Sequence, residues 1–169
     1  MREGNELIGW GMAGGIWEAQ MSQAEARVRL FADGRVTVSA AASDIGTGTY
    51  TILGQLAAEA FDIPVERVTV AIGASDLPKT GVEGGSWTAA TSGTAVQNAA
   101  KAVIKTLLDH AKNMENSPLA DASEEQVEIS EGRLVLETNH QAGVAISDIM
   151  ASAGLPFIAE TGKAAPDKA

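Results

Sequence analysis

Apolar and polar positions along this chain change period several times, and each change marks an element. In "EARVRLFADGRVTVSAAA", Ala26, Val28 and Leu30 alternate with Arg27 and Arg29, the pattern breaks at Asp33-Gly34, and it resumes at Val36 and Val38. Period two on both sides of a turn dipeptide predicts a β-hairpin. From Tyr50 the period becomes helical: Ile52, Leu53, Leu56, Ala57, Ala60 and Phe61 share one stripe, Gln55 and Glu59 take the other face, and Pro64 ends the segment. "ERVTVAIG" returns to alternation, with Val68, Val70 and Ile72 on one face of a strand. After the long loop "ASDLPKTGVEGGSWTAAT", the stretch "TSGTAVQNAAKAVIKTLLDHAKNM" carries Val96, Ala99, Ala100, Val103, Leu107 and Leu108 at helical spacing, with Gly93 small enough for close packing. "QVEISEGRLVLE" predicts a second hairpin about Glu131-Gly132, and "AISDIMASAGL" a short helix capped by Ser147 and ended by Gly154.

This order predicts an α+β fold, a mixed sheet of two hairpins and a single strand with two main helices packed on it. Residues 1–23 form a glycine-rich lead-in containing "GWGMAGGIW", residues 24–158 the α+β domain, and residues 159–169 a tail with nothing to bury that is expected to fray. The chain shows no fixed-period repeat and no low-complexity segment. At 169 residues it is long enough for one core. Its 12 Lys+Arg against 22 Asp+Glu give a formal net charge of −10, which argues against electrostatic binding to nucleic acid or anionic membranes. Any anionic ligand must therefore be held by local dipoles. With no cysteine, this chain by itself builds no disulfide framework, thiolate-bound iron–sulfur cluster or thiolate zinc site. No apolar run is long enough to span a membrane, and Met1–Leu7 lacks the features of a signal peptide, so the expected compartment is cytoplasmic.

Two glycine-rich loops concentrate the chemistry. Gly46-Thr47-Gly48-Thr49 joins a strand to a helix, where unpaired N–H groups and the helix dipole make an anion site without a cationic side chain. Neither the dinucleotide fingerprint nor the P-loop is present, since Thr51 stands at the third glycine position and no Gly-Lys-Ser/Thr follows. Gly84-Gly85-Ser86-Trp87-Thr88 offers a second such helix start, with two hydroxyls and one aromatic face. On spacing alone plain glycine turns are the favoured reading, with Thr47 or Thr49 as an N-cap and Trp87 as a core anchor. His110 and His140 have no partner at metal-ligand spacing, and Asp44, Asp76 and Glu83 read as loop carboxylates with acid–base capacity.

The wording of "DIGTGTYTILGQLAAEAFDIPVERVTVAIGASDLP" and "GGSWTAATSGTAVQNAA" resembles the molybdenum-binding subunit of the xanthine dehydrogenase/aldehyde oxidase family, in its bacterial aldehyde-oxidising branch. The resemblance extends from "GWGMAGGIW" to about "AGLPFIAETGKAAP". It implies a part of a molybdenum hydroxylase that oxidises aldehydes or N-heterocycles, with water as oxygen source and hydride passing to molybdenum. The implied cofactor is molybdopterin, as such or in its cytosine dinucleotide form. The implied partners are the rest of the molybdenum-binding subunit and the iron–sulfur and FAD subunits or domains that carry electrons away. Gly46, Thr47, Gly48 and Thr49 stand where the family's second-domain loop meets the cofactor, Thr47 where many members carry glutamine. Gly85, Ser86 and Thr88 match the residues that bind the pterin or its phosphate. The catalytic glutamate of a downstream Gly-Glu motif and the preceding molybdenum-binding domain have no counterpart here. The chain therefore reads as a piece without catalytic or metal-ligating residues of its own, inactive by itself and empty of cofactor. A periplasmic location of the parent stays open, as do a non-catalytic binding or assembly module of the same fold and a small enzyme using Asp76 or Glu83.

Overall fold

The computed structural model describes residues 2–166. In chain order the elements are β1 (Arg2–Glu3), β2 (Glu6–Leu7), β3 (Ala24–Phe31), β4 (Val36–Ala40), α1 (Thr49–Ala60), β5 (Val68–Ile72), α2 (Thr88–Lys112), β6 (Val127–Ser130), β7 (Arg133–Leu136), β8 (Asn139–Ala145), α3 (Ile146–Ala153) and β9 (Phe157–Ala164). The main sheet has the order β5-β4-β3-β9. Strand β3 runs antiparallel to β4 and β9, whereas β4 and β5 are parallel. A parallel pair requires a crossover, and α1 supplies it.

One face of this sheet is dry. Ala26, Val28 and Leu30 of β3 and Val36, Val38 and Ala40 of β4 point into a core closed by Leu53 and Ala57 of α1, by its C-cap Phe61, and by Val96, Ala99, Val103 and Leu107 of α2. Period-two burial on the strands meeting helical stripes is what the sequence pattern predicts, and the fold is α+β. Gly93 lets α1 and α2 approach, since a Cβ there would lie 2.9 Å from Leu56 Cδ1.

Three expectations need correction. The second hairpin does not join the main sheet; β6 and β7 pair with β8 in a separate three-stranded sheet, because β8 takes the free edge of β7. The expected frayed tail is largely a strand. Residues of β9 pair with β3 along its full length, from Ala24↔Ala164 to Phe31↔Phe157. Ile158 and Ala164 are buried there, and Gly162 lies so close to α2 that a Cβ would fall 2.1 Å from the Ala99 nitrogen and 2.3 Å from the Ala95 oxygen. Only the end of that expected tail, 167–169, lies outside the described residues. Finally, Ser147 does not cap α3. The N-cap is Ala145, since β8 leads straight into the helix and the Ile146 N–H already donates to Gly132. Gly154 does close α3, in the left-handed conformation.

The lead-in begins with the β1–β2 ribbon and continues without regular structure through residues 8–23. It exposes Trp10, Met12, Ile16 and Trp17. Its end is fastened where the Ser22 N–H donates to the Thr91 hydroxyl, 3.1 Å away, near the start of α2.

Candidate functional site: two glycine loops

Loop one, residues 41–48, connects β4 to α1, and loop two, residues 73–87, connects β5 to α2. Both strands belong to the main sheet and are direct neighbours, so their loops emerge side by side. A hydrogen bond of 2.7 Å from the Ser43 N–H to Glu83 Oε1 joins the loops across 40 residues of sequence. Beside it the Ala41 N–H donates to the Pro78 oxygen, 2.7 Å away.

Loop one is organised by a side chain that the glycine pattern does not display. Asp44 Oδ1 accepts from the N–H groups of Gly46 at 2.8 Å and Gly48 at 3.2 Å, and Oδ2 from Tyr50 at 3.5 Å. These donors, that of Gly46 foremost, hold the Asp44 carboxyl below its ordinary value of 3.8. Gly48 is the N-cap of α1, with φ 80°, and no side chain of the cap residue itself bonds the helix. The expected Thr47 or Thr49 cap is therefore replaced by Asp44. Thr49 is buried at 1% exposure as the first residue of α1, and its hydroxyl lies 3.4 Å from that of the exposed Thr47. Of the two threonines, Thr47 is the one that presents its side chain to solvent.

Loop two is built differently. Gly84, Gly85 and Ser86 all have positive φ, of 151°, 57° and 63°. Such a conformation at the non-glycine Ser86 costs about 1–3 kcal/mol and persists only where its surroundings impose it. The Trp87 indole folds back on Gly85, where a Cβ would lie 2.8 Å from Nε1. Trp87 is the N-cap of α2, in αR conformation, with no side-chain cap and no acidic residue in the first turn. The N–H groups of that turn have no intrahelical partner. A cavity of about 300 Å³ is lined by Gly85 and Trp87 together with Ile16, Trp17, Glu18 and Gln20 of the lead-in. A larger open groove, of about 850 Å³, holds Asp76 and lies at the β3–β9 end, sharing no residue with Gly46–Thr49 or Gly85–Thr88.

The remaining polar candidates lie apart. His140 pairs with Glu128 at 2.7 Å on the small sheet, and His110 sits in the last turn of α2. Among the described residues no group of three His, Cys, Asp or Glu side chains could hold a metal, and no helix is long and apolar enough to cross a membrane. Besides the carboxylates of Asp44 and Glu83, the site offers hydroxyls of Thr47, Ser86 and Thr88, the dipole of a 25-residue helix, and glycines whose outer side is open. A Cβ at Gly46, Gly48 or Gly84 would meet nothing within 4 Å, so a ligand can approach the backbone there. These features fit a large ligand with an anionic end and many hydrogen-bonding edges.

The arrangement is an α+β domain with two adjacent strand-to-helix loops at one end of its main sheet. A family model described as a molybdopterin cofactor-binding domain matches residues 1–167. The chain belongs to that family, and with it to the molybdenum-binding proteins of the xanthine dehydrogenase/aldehyde oxidase group. The aldehyde oxidoreductase molybdenum-binding subunit PaoC of Escherichia coli (strain K12) is 45% identical over 92 residues, 54% of this chain and 13% of that protein. The probable hypoxanthine oxidase XdhD of the same strain is 31% identical over 140 residues, 72% of this chain and 14% of its own length. Quinoline 2-oxidoreductase from Pseudomonas putida 86 shares the fold over 87% of this chain and 19% of its own, with a TM-score of 0.71 at 22% identity. The chain spans 13–14% of the length of these curated relatives.

Proposed function

We propose that the two loops hold complementary parts of a molybdopterin cofactor within a larger molybdenum-binding subunit. The observation that carries this reading is the Ser43–Glu83 hydrogen bond, which sets side by side one loop whose donors are already used and one helix start without a side-chain cap. The uncapped first turn of α2, with Ser86 and Thr88, receives the anionic phosphate end. Gly46, Thr47 and Gly48 present an open backbone and one hydroxyl to the pterin end, while Thr49 acts through Thr47. When bound, the cofactor supplies the redox metal; the residues of this chain orient it.

At the finer level, the cofactor is the cytosine dinucleotide form, and the complete enzyme oxidises aldehydes or N-heterocycles with water as oxygen source. Iron–sulfur and FAD subunits or domains are its electron-transfer partners, its compartment is cytoplasmic, and the 169-residue chain on its own does not retain the cofactor. The test is elemental analysis for molybdenum and pterin fluorescence after acid oxidation, made on the complete subunit that carries this chain. Both signals are expected, and absence of both contradicts the reading. A binding or assembly module is the second reading, favoured by the exposed Trp10, Met12, Ile16 and Trp17 of the lead-in. An arm of that kind buries itself against another part of an assembly.

A further inference from the structure

Glu83 is half-buried rather than a freely solvated loop carboxylate. Its Oε1 accepts the Ser43 N–H at 2.7 Å, and its Oε2 is buried with no hydrogen-bond partner among the described residues. A buried carboxylate oxygen without a donor is costly, so such a group calls for an explanation. Ser43 is also the residue immediately before Asp44, whose carboxylate gathers the N–H groups of loop one. One contact therefore fixes the entry of loop one, and it comes from the segment that ends in loop two.

We propose that Glu83 is a positioning residue that sets the spacing between the two loops. The inference rests on the reading of the loops as one cofactor cradle, and it gives that cradle a rigid width before the ligand arrives. Ordering two loops at binding would cost affinity, and a charge-assisted hydrogen bond across them removes that cost in advance.

The absence of cysteine from the sequence makes a direct test simple. Spin labels at Ile45→Cys and Val82→Cys, both at exposed positions, report the distance between the loops in the 169-residue chain without cofactor. In Glu83→Ala the dipolar broadening should be lost and the Ser43 amide should exchange about tenfold faster, as expected for loss of a hydrogen bond to a charged group. Glu83→Gln keeps an acceptor and should restore most of both signals. Amides of Val96, Ala99 and Val103 in α2 should be unchanged in either variant. Retention of the wild-type broadening and Ser43 exchange in Glu83→Ala would overturn the proposal. So would a uniform loss of protection through α2, because Glu83 would then be a general stabiliser. No cofactor enters this experiment, so its outcome is separable from that of the molybdenum and pterin analysis.

Discussion

The loop before α1 and the loop before α2 share one grammar, glycines followed by hydroxyl residues and a helix, yet their electrostatics are opposite. In loop one the Asp44 carboxylate occupies the N–H groups of Gly46 and Gly48, so the end of α1 is closed from within. In loop two nothing comparable stands at the start of α2, a helix twice as long, at 25 residues against 12. The lesson is that glycine spacing places a helix N-terminus at a site but does not leave it available. A single acidic residue two positions before the first glycine decides between a helix start closed from within and one left open.

The largest effect should come from the frame that both loops share. Gly162→Ala forces β9 away from α2 and should cost about 3 kcal/mol in a urea or thermal unfolding experiment, with both loops disturbed together. Asp44→Ala should have a smaller and local effect, with faster amide exchange at Gly46, Gly48 and Tyr50 and little change at residues 88–91. If loop two responds as strongly as loop one, the two are not electrostatically distinct. Ala89→Glu puts a carboxylate in the open first turn of α2. It should stabilise the chain by about 0.5 kcal/mol while lowering pterin retention by the complete subunit, opposite signs that plain helix capping does not produce.

Acid offers the mildest perturbation. Folding holds the Asp44 carboxyl below 3.8, so its contribution is complete above that value and is lost as pH falls through the depressed one. Exchange at Gly46 and Gly48, corrected for its intrinsic rate, should therefore accelerate below about pH 3.8. The first turn of α2, with no acidic residue, should show no matching step.

Much of this architecture is legible in the amino-acid sequence where contacts are local. The β3–β4 hairpin is marked by alternation around Asp33-Gly34, and α1 and α2 by their apolar stripes. Strand β9 is hidden because two of its three buried positions, Gly162 and Ala164, are small. In "FIAETGKA" Gly162 serves by lacking a side chain, and the partner strand is more than a hundred residues away in sequence. Strand β8 begins exposed, and its register shifts at Val135/Leu136. The glycines of both loops stand out, but the roles of Asp44 and Glu83 do not. Asp44 carries a faint local signal, an Asp two and four residues before glycines, which is the spacing of an Asx-type turn. Glu83 carries none, because its partner Ser43 is brought to it only by the parallel pairing of β4 and β5.

The central claim, that the anionic end of the cofactor belongs to α2 and not to α1, is tested most directly by titrating the ¹⁵N-labelled chain with inorganic pyrophosphate. The account predicts amide shifts at residues 86–90 and none at 43–50. Shifts centred on Gly46 and Gly48, or none at residues 86–90, would contradict it.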